Sequence, residues 1–287
     1  EIAHTLEIPL RSYTDAAAIS AAHPMLAFPA GYQGVFELPP AGCINPRALI
    51  QAQLQIAAQQ GATIGRDVVV KVVQSAQGVT VTTQQGETIQ AQRVLIANGA
   101  FSNCFDVLPR RLALRVKSET TLHARVPESE AKRLAAMPTV GYEIESATLD
   151  GIYMAPPLRY PDGHYYIKLG CDTIADQTLP DYAAMTDWMR HGNSDIVAND
   201  ILAALLAIMP GLQVEEFASK RCLVTYTPHR KPYLDQIDER LFIATGGNGS
   251  SAKCSDTLGF LAAQLLTDQA WPAAFERQDF QAIFADG

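Results

Sequence analysis

The stretch LFIATGGNGSSAKCSDTLGFLAAQLL, Leu241 to Leu266, constrains the fold more than any other part of the chain. Leu241, Phe242, Ile243 and Ala244 make an apolar run too short for a helix and closed by glycine, which predicts a buried strand. Gly246, Gly247 and Gly249 let the backbone turn sharply and approach a neighbour closely, because glycine carries no Cβ. After Lys253 the period turns helical, with Leu258, Leu261, Ala262 and Leu265 at i, i+3, i+4 and i+7. A strand, a glycine loop and a helix start present N–H groups and a positive dipole end to an anion or an electron-rich ring. The same pattern also serves as a plain tight turn in an α/β core.

RVLIANGAFS, Arg93 to Ser102, repeats the theme of a strand followed by glycine. Two buried strands that both end in glycine turns point to an open α/β sheet with a ligand at the strand ends. Between them the pattern changes. Leu114–Val126 alternates as a half-exposed antiparallel strand would, Glu128–Met137 predicts a short helix and Val140–Thr148 a further strand. Residues 151–172 hold two strands joined across Pro161-Asp162-Gly163, a turn with a clear mechanism. Asp181–His191 and Asp195–Met209 predict helices, the second closed by Pro210-Gly211. Antiparallel strands with segregated helices predict a second, α+β domain.

Ahead of these, residues 2–10 predict a strand, and Asp15 to His23 a helix with an aspartate cap. Asn45, Pro46 and Gly61 bracket another helix, with Ile50, Leu54 and Ala57 on one apolar face. Val68–Val73, Val79–Thr83 and Glu87–Gln92 predict strands, the last two joined at Gln85-Gly86.

With 287 residues, 48% of them hydrophobic and 18% charged, the chain can bury a large core. A net charge of −8 argues against a general nucleic-acid binder, and no apolar run is long enough for a membrane helix. Cys43, Cys104, Cys171, Cys222 and Cys254 are odd in number and widely spaced, which points to a reducing compartment, taken as the cytoplasm. The six histidines show no metal-ligand spacing.

Chemistry-bearing candidates are few. Cys222 lies in KRCLVTYTP, where Lys220 and Arg221 would lower a thiol pKa; a plain buried strand cysteine is the other reading. Lys168, in YYIKLG, is either an edge-strand lysine facing solvent or a buried functional cation. Lys253 sits where the glycine loop meets its helix, and a cation there benefits from an anionic partner.

INPRALIQAQLQIAAQQGATI, RVLIANGAFSN, YIKLG and RCLVTYTP…LFIATGGNGSSAKCSDTLGFLAAQLL, in that order, resemble the D-amino-acid oxidase / sarcosine oxidase family of flavoenzymes. The likeness is nearest to the monomeric sarcosine oxidase branch. It implies a Rossmann-like FAD domain (31–103 and 219–270) interleaved with an antiparallel-sheet substrate domain (1–30 and 104–218), and a tail at 271–287. By position it implies that Val70 meets the adenine and that Gly99 and Ala100 pass the dinucleotide. Cys222 corresponds to the residue that attaches covalently to the flavin in the sarcosine oxidase branch. Gly247, Asn248, Gly249 and Lys253 correspond to the loop over the pyrimidine edge of the flavin, and Lys168 to the lysine that promotes reaction with oxygen. The implied activity is oxidation of the C–N bond of an amine or amino acid by hydride transfer to flavin N5.

Three features depart from the family pattern. The G-x-G-x-x-G fingerprint is absent, so a preceding segment or a partner chain is expected to complete the FAD site. Thr227-Pro228-His229 stands where T-P-D is usual. Asp172 replaces the histidine four residues after the oxygen-activating lysine, and favours a cationic group on the substrate. The competing expectation is a non-catalytic flavoprotein subunit that acts by binding partners.

Overall fold

The structure is a computed structural model and describes residues 2–285. In chain order its first elements are α1 (Ile2–Thr5), β1 (Leu10–Tyr13), α2 (Ala16–Ala22), β2 (Gly34–Glu37) and α3 (Pro46–Gln59). Next come β3 (Val69–Ser75), β4 (Gly78–Thr83), β5 (Thr88–Ala91), β6 (Val94–Ile96), β7 (Arg115–Val126), α4 (Glu128–Arg133) and β8 (Val140–Tyr142). The remainder are β9 (Leu149–Arg159), β10 (Tyr165–Thr173), α5 (Tyr182–His191), α6 (Ala198–Ile208), β11 (Glu216–Tyr226), β12 (Tyr233–Asp238), β13 (Leu241–Thr245) and α7 (Ser255–Leu266). Among the described residues no helix is long and apolar enough to cross a membrane.

The chain divides into two compact units. Unit 1 comprises Glu1–Asn45, Glu119–Asp176 and Gly192–Cys222; unit 2 comprises Pro46–Ser118, Gln177–His191 and Leu223–Gly287. The divisions fall inside β7 and β11 as well as in loops, and α5 is counted with unit 2.

Unit 1 is built on a sheet of order β11-β7-β10-β9-β8, with β10 antiparallel to both β7 and β9. Strand alternation sends Leu122 and Ala124 of β7, Ile152 and Met154 of β9, and Ile167 and Leu169 of β10 into one core. Helix α6 closes it with Ile201, Leu205 and Ile208, which share one helical face and are almost fully buried. Each such side chain contributes about 1.5–3 kcal/mol by leaving water. The other face of β10 carries Lys168, Gly170 and Asp172.

Unit 2 contains two three-stranded sheets, β3-β4-β5 and β12-β13-β6. In the second, β13 runs parallel to β6, with Leu241 opposite Val94 and Ile243 opposite Ile96. The two strands predicted from their terminal glycines are therefore neighbours with their carboxyl ends on one side. Leu261, Ala262 and Leu265 of α7 pack with Phe242 and Leu234, so the helical period after Lys253 is the buried stripe.

Several local expectations need correction. Residues 2–10 are not one strand: Leu6 N–H bonds to Ile2 C=O in a helical turn, and the strand starts beyond Pro9, at Leu10. Strand β7 is not half-exposed but buried on both faces over most of its length, with Lys117, Ser118, Glu119, Thr120 and Thr121 all below 9% exposure. Strand β8 stops at Tyr142 because its partner bends at Gly151, whose φ of +55° leaves the extended region. Helix α4 ends at Arg133 rather than Met137. The apolar face of α3 is exposed at Ile50 and Leu54.

Candidate active site

On the face of the unit 1 sheet opposite its core, three strands line up chemistry-bearing residues. Tyr153 of β9 is directly opposite Gly170 of β10, and Gly170 is opposite Thr121 of β7. Because Gly170 has no side chain, the phenol of Tyr153 crosses the middle strand. A Cβ at Gly170 would stand 2.2 Å from Tyr153 Cζ. The hydroxyl thereby reaches the third strand and donates a 3.0 Å hydrogen bond to Glu119 Oε1. Lys168, two residues before Gly170 on the same face, holds its Nζ 5.3 Å from the Tyr153 ring centroid, within cation–π range.

Cys222 of β11 belongs to this patch electrostatically. Burial pushes its thiol up, the Lys168 ammonium pulls it down, and Glu119 adds to the rise. The lowered thiol pKa expected from Lys220 and Arg221 is thus reversed. Successive strand residues point to opposite faces, and Arg221 Nε donates to Gly192 C=O, 2.7 Å away. The cation that acts on Cys222 comes from β10, not from its own strand. Burial also raises the Tyr153 phenol strongly, followed by the charge and the hydrogen bond of Glu119, then Cys222 and Cys171.

In unit 2 the glycine loop after β13 is held in an unusual conformation. Gly246, Asn248 and Gly249 have φ of +77°, +50° and +73°. The end of β11 fixes it: Gly247 N–H bonds to Thr225 Oγ1 and Asn248 N–H to Thr225 C=O, at 3.1 and 2.8 Å. Asn248 Oδ1 accepts from Thr227 N–H. Gly247 C=O accepts from Ser251 Oγ, which opens the short 3₁₀ turn Ser251–Cys254 leading into α7. Lys253 lies in that turn and is exposed.

The other predicted residues are placed as follows. Val70 lies at a register shift of β3, where its C=O accepts from Asp106 N–H. Gly99, φ +55°, and Ala100 start a 3₁₀ turn just after β6; Gly99 C=O is held by Ser102 Oγ and by Thr245 Oγ1 from the end of β13. Asp172 is exposed on β10 and paired with Asp150 of β9. His229, at the position of the family's usual aspartate, accepts Lys231 N–H at Nδ1 and reaches Gln281 C=O with Nε2. Lys168, Gly170 and Asp172 thus share one strand face with Tyr153 and Glu119 nearby, whereas Val70, Gly99, Ala100, Gly247, Asn248, Gly249 and Lys253 belong to unit 2.

Sequence reasoning missed Tyr153, Gly170 and Glu119. A glycine inside a strand pattern signals close approach by another group, and Gly170, two residues after Lys168, is such a signal.

The residues present suit a flavin. Two parallel strands end in fixed glycine loops, the arrangement at which open α/β sheets bind dinucleotides. In unit 2 the loop carries no Cβ at Gly247 and Gly249; unit 1, taken by itself, holds an ammonium, a phenol and a thiol close enough to act on one another.

A family model described as DAO, FAD dependent oxidoreductase, matches residues 2–265. The chain belongs to this family of FAD-dependent oxidoreductases, with an α/β FAD-binding part and an antiparallel-sheet part. Among solved structures it is similar to NikD, an unusual amino acid oxidase essential for nikkomycin biosynthesis, with TM-score 0.75 and 20% identity over 99% of this chain and 71% of that one. It is also similar to Amadoriase I, a fructosyl amine:oxygen oxidoreductase from Aspergillus fumigatus, with TM-score 0.70 and 19% identity over 95% of this chain and 63% of that one. Glycine oxidase from Geobacillus kaustophilus gives TM-score 0.68 and 21% identity over 97% and 68%. At these identities the likeness is one of fold. No curated protein matches.

Proposed function

We propose that this protein oxidises the C–N bond of a small amine or amino acid. The observation that carries the reading is the polar patch of Lys168, Tyr153 and Glu119 on one face of a sheet, with Cys222 of β11 within reach of their charges, in a chain of the FAD-dependent oxidoreductase family. The similar structures, an amino acid oxidase, a fructosyl amine oxidoreductase and a glycine oxidase, support the same bond. When bound, FAD supplies the oxidant, accepting hydride from the carbon next to nitrogen and passing the electrons to oxygen or another acceptor.

The chain's own residues bind and polarise. The loop Gly247-Asn248-Gly249, whose Gly247 and Asn248 N–H groups are taken by Thr225, offers a close backbone approach, and Lys253 at the helix start an ammonium, to a negatively charged ring edge. Gly99 and Ala100 would give the dinucleotide a close backbone approach, and Val70 would meet its adenine. Lys168 supplies positive charge where oxygen is reduced. Cys222 is the candidate attachment point, as in the sarcosine oxidase branch. Asp172 and Glu119 together favour a cationic substrate nitrogen.

The test is direct. Protein purified with its flavin should show visible absorption that bleaches anaerobically with an N-methyl amino acid and returns with oxygen. Colour that survives acid precipitation in the wild type and is lost in Cys222→Ala would support the covalent link. A bound flavin that no amine bleaches would favour the alternative of a non-catalytic flavoprotein that binds partners.

A further inference from the structure

A tyrosine hydroxyl has one proton to donate and two lone pairs with which to accept. In Tyr153 the proton is already committed, because Oη donates to Glu119 Oε1 at 3.0 Å. A carboxylate only accepts, so the pair has a fixed polarity. Glu119 lies on β7, two strands from β9 in the sheet order, is 8% exposed, and cannot be reached unless the ring passes over Gly170. The ring is further held by Lys168, whose ammonium sits 5.3 Å from its centroid. Tyr153 itself keeps 41% of its surface exposed. A buried acceptor thus fixes a half-open phenol.

We propose that Glu119 is a positioning residue that, through Tyr153, selects a substrate presenting an N–H donor. This deepens the amine reading above and rests on it. With its proton turned toward Glu119, the phenol oxygen offers only lone pairs to a ligand. It accepts from an amine or ammonium N–H and offers nothing to an ether oxygen in the same place. The negative charge of Glu119 adds attraction for a cationic nitrogen and repels a carboxylate. Glu119 acts without touching the ligand: remove it, and the hydroxyl is free to rotate and donate.

Two experiments on the flavin-loaded protein test this. In the first, the Kd of sarcosine is taken from the concentration dependence of the rate of anaerobic flavin bleaching, and that of its ether counterpart methoxyacetate from its perturbation of the oxidised flavin's absorbance. The wild type should bind sarcosine about tenfold or more tightly than methoxyacetate, the worth of one hydrogen bond that involves a charged group. Glu119→Leu should lose that preference, and Glu119→Gln, which still offers Tyr153 an acceptor, should recover part of it. An unchanged preference in Glu119→Leu overturns the proposal.

The second needs no substrate. The Tyr153 phenol is followed by ultraviolet pH titration, as the difference between proteins with and without Tyr153→Phe. Its ionisation should begin at lower pH in Glu119→Leu than in the wild type, because the charge and the hydrogen bond that hold the proton are gone. The groups facing it besides Glu119 are Lys168, Cys171 and Cys222, and these are unchanged in the comparison. An identical onset in the two backgrounds, both still folded, overturns the Glu119–Tyr153 link. This titration decides that link whether or not sarcosine is bound, so its failure is distinct from failure of the amine reading.

Discussion

Gly170 shows how much one missing atom group can decide. Any side chain there collides with Tyr153 at ring carbon and hydroxyl alike, at 2.2 and 2.3 Å. Gly170→Ala should displace the phenol, break its bond to Glu119 and destabilise the fold by about 1–3 kcal/mol through overpacking. Urea unfolding and the Tyr153 titration measure the two effects separately. Cysteine makes a second residue-scale prediction. Burial raises the thiols of Cys222 and Cys104 above the ordinary 9.0. The folded chain therefore holds these protons to higher pH than the unfolded chain does, and stability falls as pH rises through that interval. The urea midpoint should drop between about pH 8 and about pH 10, and Cys222→Ser should make the drop shallower. An unchanged slope would mean that the folded state does not disfavour the thiolate. Cys222 stood out by its place in RCLVTYTP, but the sign of its environment did not. That sign depends on Lys168, 54 positions earlier in the chain, and on a burial that no local run reveals.

At the scale of elements, what was legible is what is local. The glycine loop, the Asp15 cap and the Pro161–Gly163 turn are set by short-range backbone chemistry and stand as expected. Asp15 Oδ1 accepts from Ala18 N–H at 2.8 Å, so Asp15→Ala should cost about 1 kcal/mol, read from urea unfolding. The loop after β13 allows a graded test. Gly246 and Gly249 share positive φ, yet a Cβ at Gly246 would lie 2.4 Å from Thr227 Cγ2 and one at Gly249 no nearer than 3.6 Å to Val224 Cγ1. Gly246→Ala should therefore destabilise more than Gly249→Ala; equal effects would place the whole cost in φ. Misread elements share a different cause. Strand β7 looked half-exposed because KSETT is polar, whereas Ser118 and Glu119 are buried and hydrogen-bonded to Gln177 and Tyr153. Polarity predicts exposure only where no partner waits across the sheet.

For the whole molecule, the chain passes between its units at 45/46, 118/119, 176/177, 191/192 and 222/223. Each unit nevertheless has a core of its own, with Leu205 and Ile201 central in unit 1 and Phe242 and Leu261 in unit 2. Leu205→Ala, at a site with 0% exposure, should cost about 2–5 kcal/mol, and hydrogen exchange should place the loss first in unit 1 amides. Each unit draws on three separate stretches of the chain, and the places of division depend on contacts between distant residues. The parallel pair of β6 and β13 carries this further, into the order of events during synthesis. Val94 leaves the ribosome long before Leu241, its ladder partner, exists. All residues of unit 1 are available once Cys222 has been made, whereas the β12-β13-β6 sheet of unit 2 must wait for Thr245. A nascent chain can thus complete the Tyr153–Glu119 patch first and acquire its glycine loop last.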